Sequence, residues 1–389
     1  MDGSRQLHAE TKDTGREGPP EGAADTQRRG ERTAPAGTGR VAIGIATTGR
    51  AEILTPTLRA IAEQTRLPDL DIVSAATPDD VEPGATDDLP FETEVLYGPK
   101  GLCTQRNRIL DRLAADDLLL FLDDDFLITP GFLARLERLF AEHRDVAMIT
   151  GTVIADDVSG PGLSPEDGAK ILRAAPQPAA PDALHRTRNG YGCNFAMRMA
   201  PIRAHDLRFD ETLPFYGWLE DVDFSGQIKA HGRVVRAEGL IGVHLGTKRA
   251  RSPGRRLGYS QIANPVYLLR KKTIERDHAF NLMRRNVLSN LVYTPVPRPW
   301  TDSRGRLVGN LIALWDLVRG RCHARLSGEE GDAREPGARP CARSRSTRPS
   351  TCSARCSSPA ATTPSRASSA TAAATPTRRT GAATPSARS

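Results

Sequence analysis

Five apolar residues in unbroken succession, Leu118 to Leu122, run straight into three carboxylates, Asp123, Asp124 and Asp125. The run is too short for a useful helix and reads as a strand buried on both faces. Short apolar runs of this kind alternate along the chain with segments whose apolar residues recur at helical spacing. Val41 to Ala46 predicts a first strand, and a helix follows with Leu54, Leu58 and Ile61 on one face. Leu70 to Ala75 predicts a second strand, Glu94 to Tyr97 a third, and Leu102 to Leu113 a helix. Pro130 opens the next helix, whose buried stripe is Phe132, Leu133, Leu136, Leu139 and Phe140. Val146 to Ile154 predicts a further strand, Glu220 to Phe224 the start of a helix closed by Gly232, and Arg233 to Val243 a last strand ending at His244. Helices from Tyr259 to Lys272 and from Leu307 to Arg319 follow. This alternation predicts an α/β fold with a largely parallel sheet and helices on both faces.

Three segments lack periodicity. Residues 1–39 and 328–389 are polar and are expected to be disordered tails. Residues 155–188 are rich in Pro, Ala, Gly and Asp and read as a flexible insertion. The Ser, Thr, Ala, Arg and Pro composition beyond 328 also resembles an out-of-frame reading of GC-rich DNA, which sequencing the end of the gene would test.

Charge changes the picture less than the total suggests. The net charge is +7, but residues 1–40 are neutral and residues 328–389 carry +6, leaving +1 for the rest. A near-neutral folded part gives no footprint for nucleic acid, and none is expected as a partner. The six cysteines show no zinc spacing. With no apolar signal core and no apolar run near the roughly 18–20 residues that span a bilayer, a cytoplasmic protein is expected.

Alternation along an extended segment turns Asp123 and Asp125 the same way and Asp124 the other. Two like charges that close repel unless a cation lies between them, and a divalent metal is the usual remedy. Ligands of open α/β sheets bind beyond the carboxyl ends of the strands, where this triplet lies. Taken alone, such a triplet is more often a solvated turn.

The order of the other motifs adds weight. Ala46-Thr47-Thr48-Gly49-Arg50 ends the first strand, Gly101 to Arg106-Asn107 opens a helix, and Gly192-Cys193-Asn194, Glu220-Asp221-Val222-Asp223 and Asn264-Pro265-Val266-Tyr267 follow the triplet. In that order and spacing the chain resembles the family 2 glycosyltransferases over residues 41–320. The resemblance implies a GT-A fold, a nucleotide-diphosphate-sugar donor, a divalent cation (Mn2+ or Mg2+) and inversion at the anomeric carbon. It departs from that family at the end of the second strand, where Ala75-Ala76-Thr77-Pro78 replaces Asp-Asp-Gly-Ser and Asp79 and Asp80 come slightly later.

On this reading residues 40–154 form the donor-binding half, 189–258 the acceptor half with a basic loop, and 259–327 the C-terminal helices. The resemblance implies a metal on Asp123 and Asp125, and His244, at a strand end beside them, is expected to complete its shell. Asp221, with Glu220 beside it, is the expected base, kept ionised by the helix N-terminus. Thr47, Thr48, Arg50, Asp79, Arg106, Asn107, Asp123 and Asp124 are expected at the donor, with Arg249 and Arg251 closing over the diphosphate. Trp218, Gly192 and Asn194 are expected at the acceptor, a glycan or a lipid-linked saccharide of cell-surface polysaccharide or glycolipid synthesis. The apolar stretch Leu307 to Val318 is a candidate for peripheral membrane contact and equally for a packing helix. Oligomeric state is not legible in the sequence.

Rival classes fit less well. A sugar nucleotidylyltransferase needs more glycine than Thr47-Thr48-Gly49-Arg50 offers, a haloacid-type phosphatase is contradicted by Leu127, and no P-loop is present. A binding module of the same fold without catalysis stays open.

Overall fold

The computed structural model describes residues 39–213, 217–248, 253–296 and 298–322. Its strands are β1 (Val41–Thr47), β2 (Leu70–Ala75), β3 (Thr93–Tyr97), β4 (Leu118–Asp123), β5 (Phe126–Ile128), β6 (Val146–Asp156), β7 (Leu184–Arg186), β8 (Asn194–Arg198) and β9 (Arg233–His244). Its helices are α1 (Ala51–Ala62), α2 (Leu102–Leu110), α3 (Phe132–Glu142), α4 (Pro165–Arg173), α5 (Met199–His205), α6 (Glu220–Ile228), α7 (Gly254–Lys271), α8 (Arg276–Tyr293) and α9 (Ser303–Val318).

The unbroken apolar run of β4 is explained by its place between two helix layers. Leu119 and Phe121 enter one core with Ile109 and Leu110 of α2. Leu118, Leu120 and Leu122 enter the other, with Leu54, Leu58 and Ile61 of α1 and the expected stripe of α3. A strand covered on both faces needs apolar side chains at every position. At Gly44 of β1, a Cβ would lie 2.8 Å from Cγ2 of Ile109, so the missing side chain lets α2 sit close on the sheet.

The strands form one sheet in the order β3-β2-β1-β4-β8-β6-β9-β5, with β7 paired to β9. β1 to β4, β6 and β9 run one way, and β5, β7 and β8 run against them. The sheet is thus mostly parallel, with an antiparallel strand inserted beside β4.

One connection shapes everything near the acidic triplet. Only Asp124 and Asp125 link β4 to β5, yet β8, β6 and β9 lie between them in the sheet. Three peptide units span at most about 11 Å. The sheet therefore curls until the end of β9 returns to the end of β4, and Phe126 pairs with His244. Closure of this kind brings together residues more than a hundred positions apart.

Several elements are additional to the sequence reading, among them the short strands β5 and β8 and helix α5. Within 155–188 the chain forms α4 and β7, and Ser164 caps α4 by accepting the N–H of Asp167. Ser164-Pro165-Glu166-Asp167 is a helix-start signal that the Pro- and Ala-rich surroundings obscure. Helix α8 is also absent from the sequence reading, because apolar residues lie on both its inward and outward faces. Among the described residues no helix is long and apolar enough to cross a membrane.

Candidate active site

The acidic turn divides its three carboxylates as alternation predicts. Asp124 is buried behind the turn, where the Thr47 hydroxyl donates to it at 2.7 Å and Arg50 pairs with it at 2.9 Å. Asp123 and Asp125 face His244, whose Nε2 lies 3.8 Å from Oδ2 of Asp123 and 3.3 Å from Oδ1 of Asp125. On the other side of the ring Nδ1 is 3.1 Å from Asp156, its partner in the parallel β6–β9 register. The Tyr191 hydroxyl in turn donates to Asp156 at 2.6 Å.

These groups fit a divalent cation. Asp123, Asp125 and His244 each offer one ligand atom, and the three atoms lie within 4.8 Å of one another. Oδ2 of Asp125 accepts the N–H of Thr247 at 2.8 Å, and the buried Oδ1 pairs with the His244 ring at 3.3 Å. Two carboxylates converging on one imidazole need positive charge between them, which either the imidazolium or a divalent cation supplies. Two carboxylates and an imidazole suit Mn2+ or Mg2+, with Asp156 orienting the ring from behind. Burial alone would lower the pKa of His244, but Asp125 and Asp156 outweigh it and push it up to about 10. Without a metal the imidazolium supplies the positive charge, so metal binding must release its proton.

The second group of acids sits at the start of α6. Gly217 and Leu219 both take left-handed backbone conformations, with φ of 60° and 73°. That conformation is unfavourable for leucine and marks a turn imposed by its surroundings. It sets Glu220 and Asp221 side by side at the helix start. Glu220 is buried and pairs with Arg106 at 2.6 Å. Asp221 is half-buried and accepts the N–H groups of Gly192 at 3.0 Å and Val222 at 2.8 Å. A side chain at Gly192 would crowd both acids, since a Cβ would lie 3.2 Å from Oε1 of Glu220 and 3.4 Å from Oδ2 of Asp221.

Burial raises the pKa of both acids, with Arg106 opposing in each case and the Asp221 charge adding to the rise at Glu220. At Asp221 desolvation outweighs the two amides of the helix start, and the carboxylate gains basicity.

Arg106 joins the two groups. Only 2 % of it is exposed, and it donates to the Gly192 carbonyl at 2.7 Å and reaches Asp123 at 3.4 Å. Its guanidinium lies over the rings of Phe121, Phe195 and Phe209. Asp123, Asp125 and His244 line the same cleft as Trp218, Gly192 and Asp221, a space of about 1670 Å³ that Arg50 also borders.

Several residues expected to touch ligands are engaged inside the protein instead. The Thr47 hydroxyl and Asp124 hold each other. Asn107 clamps the following segment, giving hydrogen bonds to the Phe209 carbonyl and Glu211 and accepting the Phe209 N–H. Asn194 is fully buried and accepts from Gly151 and Thr150, joining β8 to β6. Arg106 braces the acids and is a positioning residue. The Thr48 hydroxyl turns onto the Thr47 carbonyl. Asp79 is exposed on a 3-10 turn, whereas Asp80 is buried and accepts from Ala76, Thr77 and Gly49. Arg249 and Arg251 lie outside the described residues. The sequence reading missed Asp156, Tyr191 and Thr247, which are placed by strand register and sheet curl and carry no motif.

No protein-family model matches the chain, and no curated protein matches it. Solved structures do, with glycosyltransferases among them. S. aureus TarS 1-349 aligns over 72% of this chain and 92% of that one, at 12% identity and a TM-score of 0.45. The mannosyltransferase PcManGT from Pyrobaculum calidifontis, solved with GDP-Man and Mn2+, aligns over 76% and 88%, at 14% identity and a TM-score of 0.42. GalNAc-T7, solved with UDP, GalNAc and Mn2+, aligns over 73% and 59%, at 14% identity and a TM-score of 0.44. The chain spans 44% of the longer S. aureus TarS structure. Likeness at this level carries no argument about chemistry, which rests on the cleft itself.

Proposed function

We propose that the chain is a metal-dependent glycosyltransferase of the family 2, GT-A kind, moving a sugar from a nucleotide-diphosphate-sugar to an acceptor hydroxyl with inversion. One observation carries the reading: an Asp123–Asp125–His244 cluster whose ligand atoms lie within 4.8 Å of one another shares a cleft with a separate carboxylate of raised basicity.

Asp123, Asp125 and His244 would hold Mn2+ or Mg2+ beside the donor diphosphate. When bound, the cation supplies counter-charge for the departing diphosphate. Asp221 takes the proton of the acceptor hydroxyl as its oxygen bonds to the anomeric carbon. The bond from that carbon to the diphosphate breaks, and its electron pair leaves with the diphosphate. Glu220 and Arg106 hold Asp221 in place, and Arg50 at the cleft edge faces the same anion. Trp218 offers an apolar surface for a sugar ring. The acceptor is a glycan or a lipid-linked saccharide, used in the cytoplasm for cell-surface polysaccharide or glycolipid synthesis.

Release of nucleoside diphosphate from a panel of UDP- and GDP-sugars with Mn2+ tests this. Asp125→Ala is expected to abolish both turnover and Mn2+-dependent thermal stabilisation by nucleoside diphosphate. Asp221→Asn is expected to keep that stabilisation and lose turnover by about 10²–10⁴-fold. Release of pyrophosphate would point to nucleotidylyl transfer, and tight donor binding without turnover on any sugar would point to a binding module. Wild-type turnover in Asp221→Asn would remove the assigned base.

A further inference from the structure

Exposed large apolar side chains are concentrated in one region of the described structure. Of the thirteen, all but Tyr97 and Ile154 lie between Phe280 and Val318, on α8, α9 and the link between them. Helix α9 buries Ser303, Gly309, Asn310 and Ala313 and exposes Val308, Leu311, Trp315 and Val318. Helix α8 buries only Ala279 and Asn290 and exposes Phe280, Leu288, Leu291 and Val292. Each helix also turns large apolar residues inward, Leu282, Met283 and Val287 on α8 and Ile312 and Leu317 on α9, so the exposed set is a second apolar face beyond the one the core uses.

The helices meet through an apolar cluster that includes Tyr259, Ile262, Met283 and Ile312, joined by amides and glycines. The Asn290 amide donates to Gln261 at 2.8 Å and Asn310 at 2.7 Å, and Asn310 donates to the Gly258 carbonyl at 2.7 Å. The backbones of α7 and α9 touch through glycines. A Cβ at Gly258 would lie 2.0 Å from the Arg306 carbonyl oxygen, and one at Gly309 would lie 2.1 Å from that of Arg255. The core between the helices is thus already filled, and the outer apolar face is surplus to it. None of these helices can cross a bilayer.

The occupant of this face can be argued from charge and composition. Residues 276–322 contain eight Arg and three Asp and no Lys or Glu, a net +5. Arg319 lies over the ring of exposed Trp315 at 4.2 Å, and Arg298 lies over Tyr293 at 3.8 Å. Aromatic rings beside cations suit the level of lipid headgroups. Residues 1–38 and 323–389 offer little to cover the face, since they contain no large apolar side chain beyond Met1, Leu7 and Leu326. A symmetric contact with a second copy would set a net positive surface against itself.

We propose that the outer face of α8 and α9 seats the protein on an anionic lipid surface, with its apolar side chains among the headgroups and its arginines on lipid phosphates. Docking stands apart from the catalytic reading. Its extension rests on that reading: Leu282, Arg284 and Arg285 of α8 line the cleft, so a seated protein would meet an acceptor saccharide carried on a lipid.

Sedimentation of the full chain with vesicles tests docking alone. The wild type is expected to sediment with phosphatidylcholine–phosphatidylglycerol vesicles, with a blue shift of tryptophan emission, and to be released as salt rises from about 0.1 M to about 1 M. Leu311→Glu/Trp315→Glu changes only exposed positions and is expected to keep the wild-type melting temperature while binding at least about tenfold more weakly. Arg284→Glu/Arg319→Glu is expected to lose the preference for anionic lipid. Three results would overturn the proposal: no sedimentation of the wild type with any vesicle, equal sedimentation of Leu311→Glu/Trp315→Glu, or a wild-type dimer that this variant splits. A chain that docks without turning over donor would overturn the catalytic reading and leave docking intact.

Discussion

Replacing Arg106 with methionine tests whether the two acidic groups are held by one buried cation. The guanidinium has three polar partners: Glu220 at 2.6 Å, the Gly192 carbonyl at 2.7 Å and Asp123 at 3.4 Å. Methionine keeps much of the contact with the three phenylalanine rings but leaves Glu220 buried without its partner. Burial already pushes the Glu220 pKa up to about 8, and loss of the opposing Arg106 charge drives it further toward the neutral acid. Removing one partner of a buried pair costs about 3–5 kcal/mol when the other stays charged, so proton uptake makes this the upper bound. At about 2–4 °C per kcal/mol for a domain of this size, the melting temperature should fall by up to about 6–20 °C. Arg106→Lys should recover little, since one ammonium cannot replace a planar fork that reaches several acceptors. Combining Arg106→Met with Glu220→Gln removes the stranded carboxyl and should restore about 1–3 kcal/mol relative to additivity. Differential scanning fluorimetry on wild type, the three single variants and the double variant reads all of this. A single Arg106→Met variant melting within about 2 °C of wild type, or a strictly additive double variant, would refute the buried-cation account.

Two more predictions concern the acid pair and the helix contact. Asp221 accepts a proton only when ionised, and burial holds its pKa above the ordinary carboxylate value. Turnover should therefore fall as pH drops through an apparent pKa above the ordinary carboxylate range that belongs to the Glu220–Asp221 pair. The pH–rate profile reads this, and turnover that holds down through the ordinary carboxylate range would contradict the raised basicity. At Gly258 an added side chain meets backbone 2.0 Å away, which has no rotamer by which to yield. Gly258→Val should part α7 from α9 at a cost of more than about 1–3 kcal/mol, and a thermal melt unchanged from wild type would contradict the close contact.

Much of the fold was legible because it depends on local pattern. The apolar run of β4, the stripe of α3 and the α1 face each show their burial in their own spacing. The same holds for the division of Asp123 and Asp125 from Asp124, which follows from strand alternation alone. Helix α8 was illegible for the converse reason: apolar side chains lie on its inward face (Leu282, Met283, Val287) and on its outward one (Phe280, Leu288, Leu291), so no single stripe marks it.

What the chain's own letters determined is the set of strands, the acidic triplet at the end of one of them, and the Glu220-Asp221 pair at a helix start. Tertiary structure decided which of these meet. His244 and Asp156 reach the triplet only because a two-residue link forces the sheet to curl, and Arg106 and Asn107 become internal clamps only because Phe209 and Glu220 arrive from a hundred residues away. Distance along the chain carries no information about such meetings, since they depend on the closure of the whole sheet and on which buried polar atoms are left to pair.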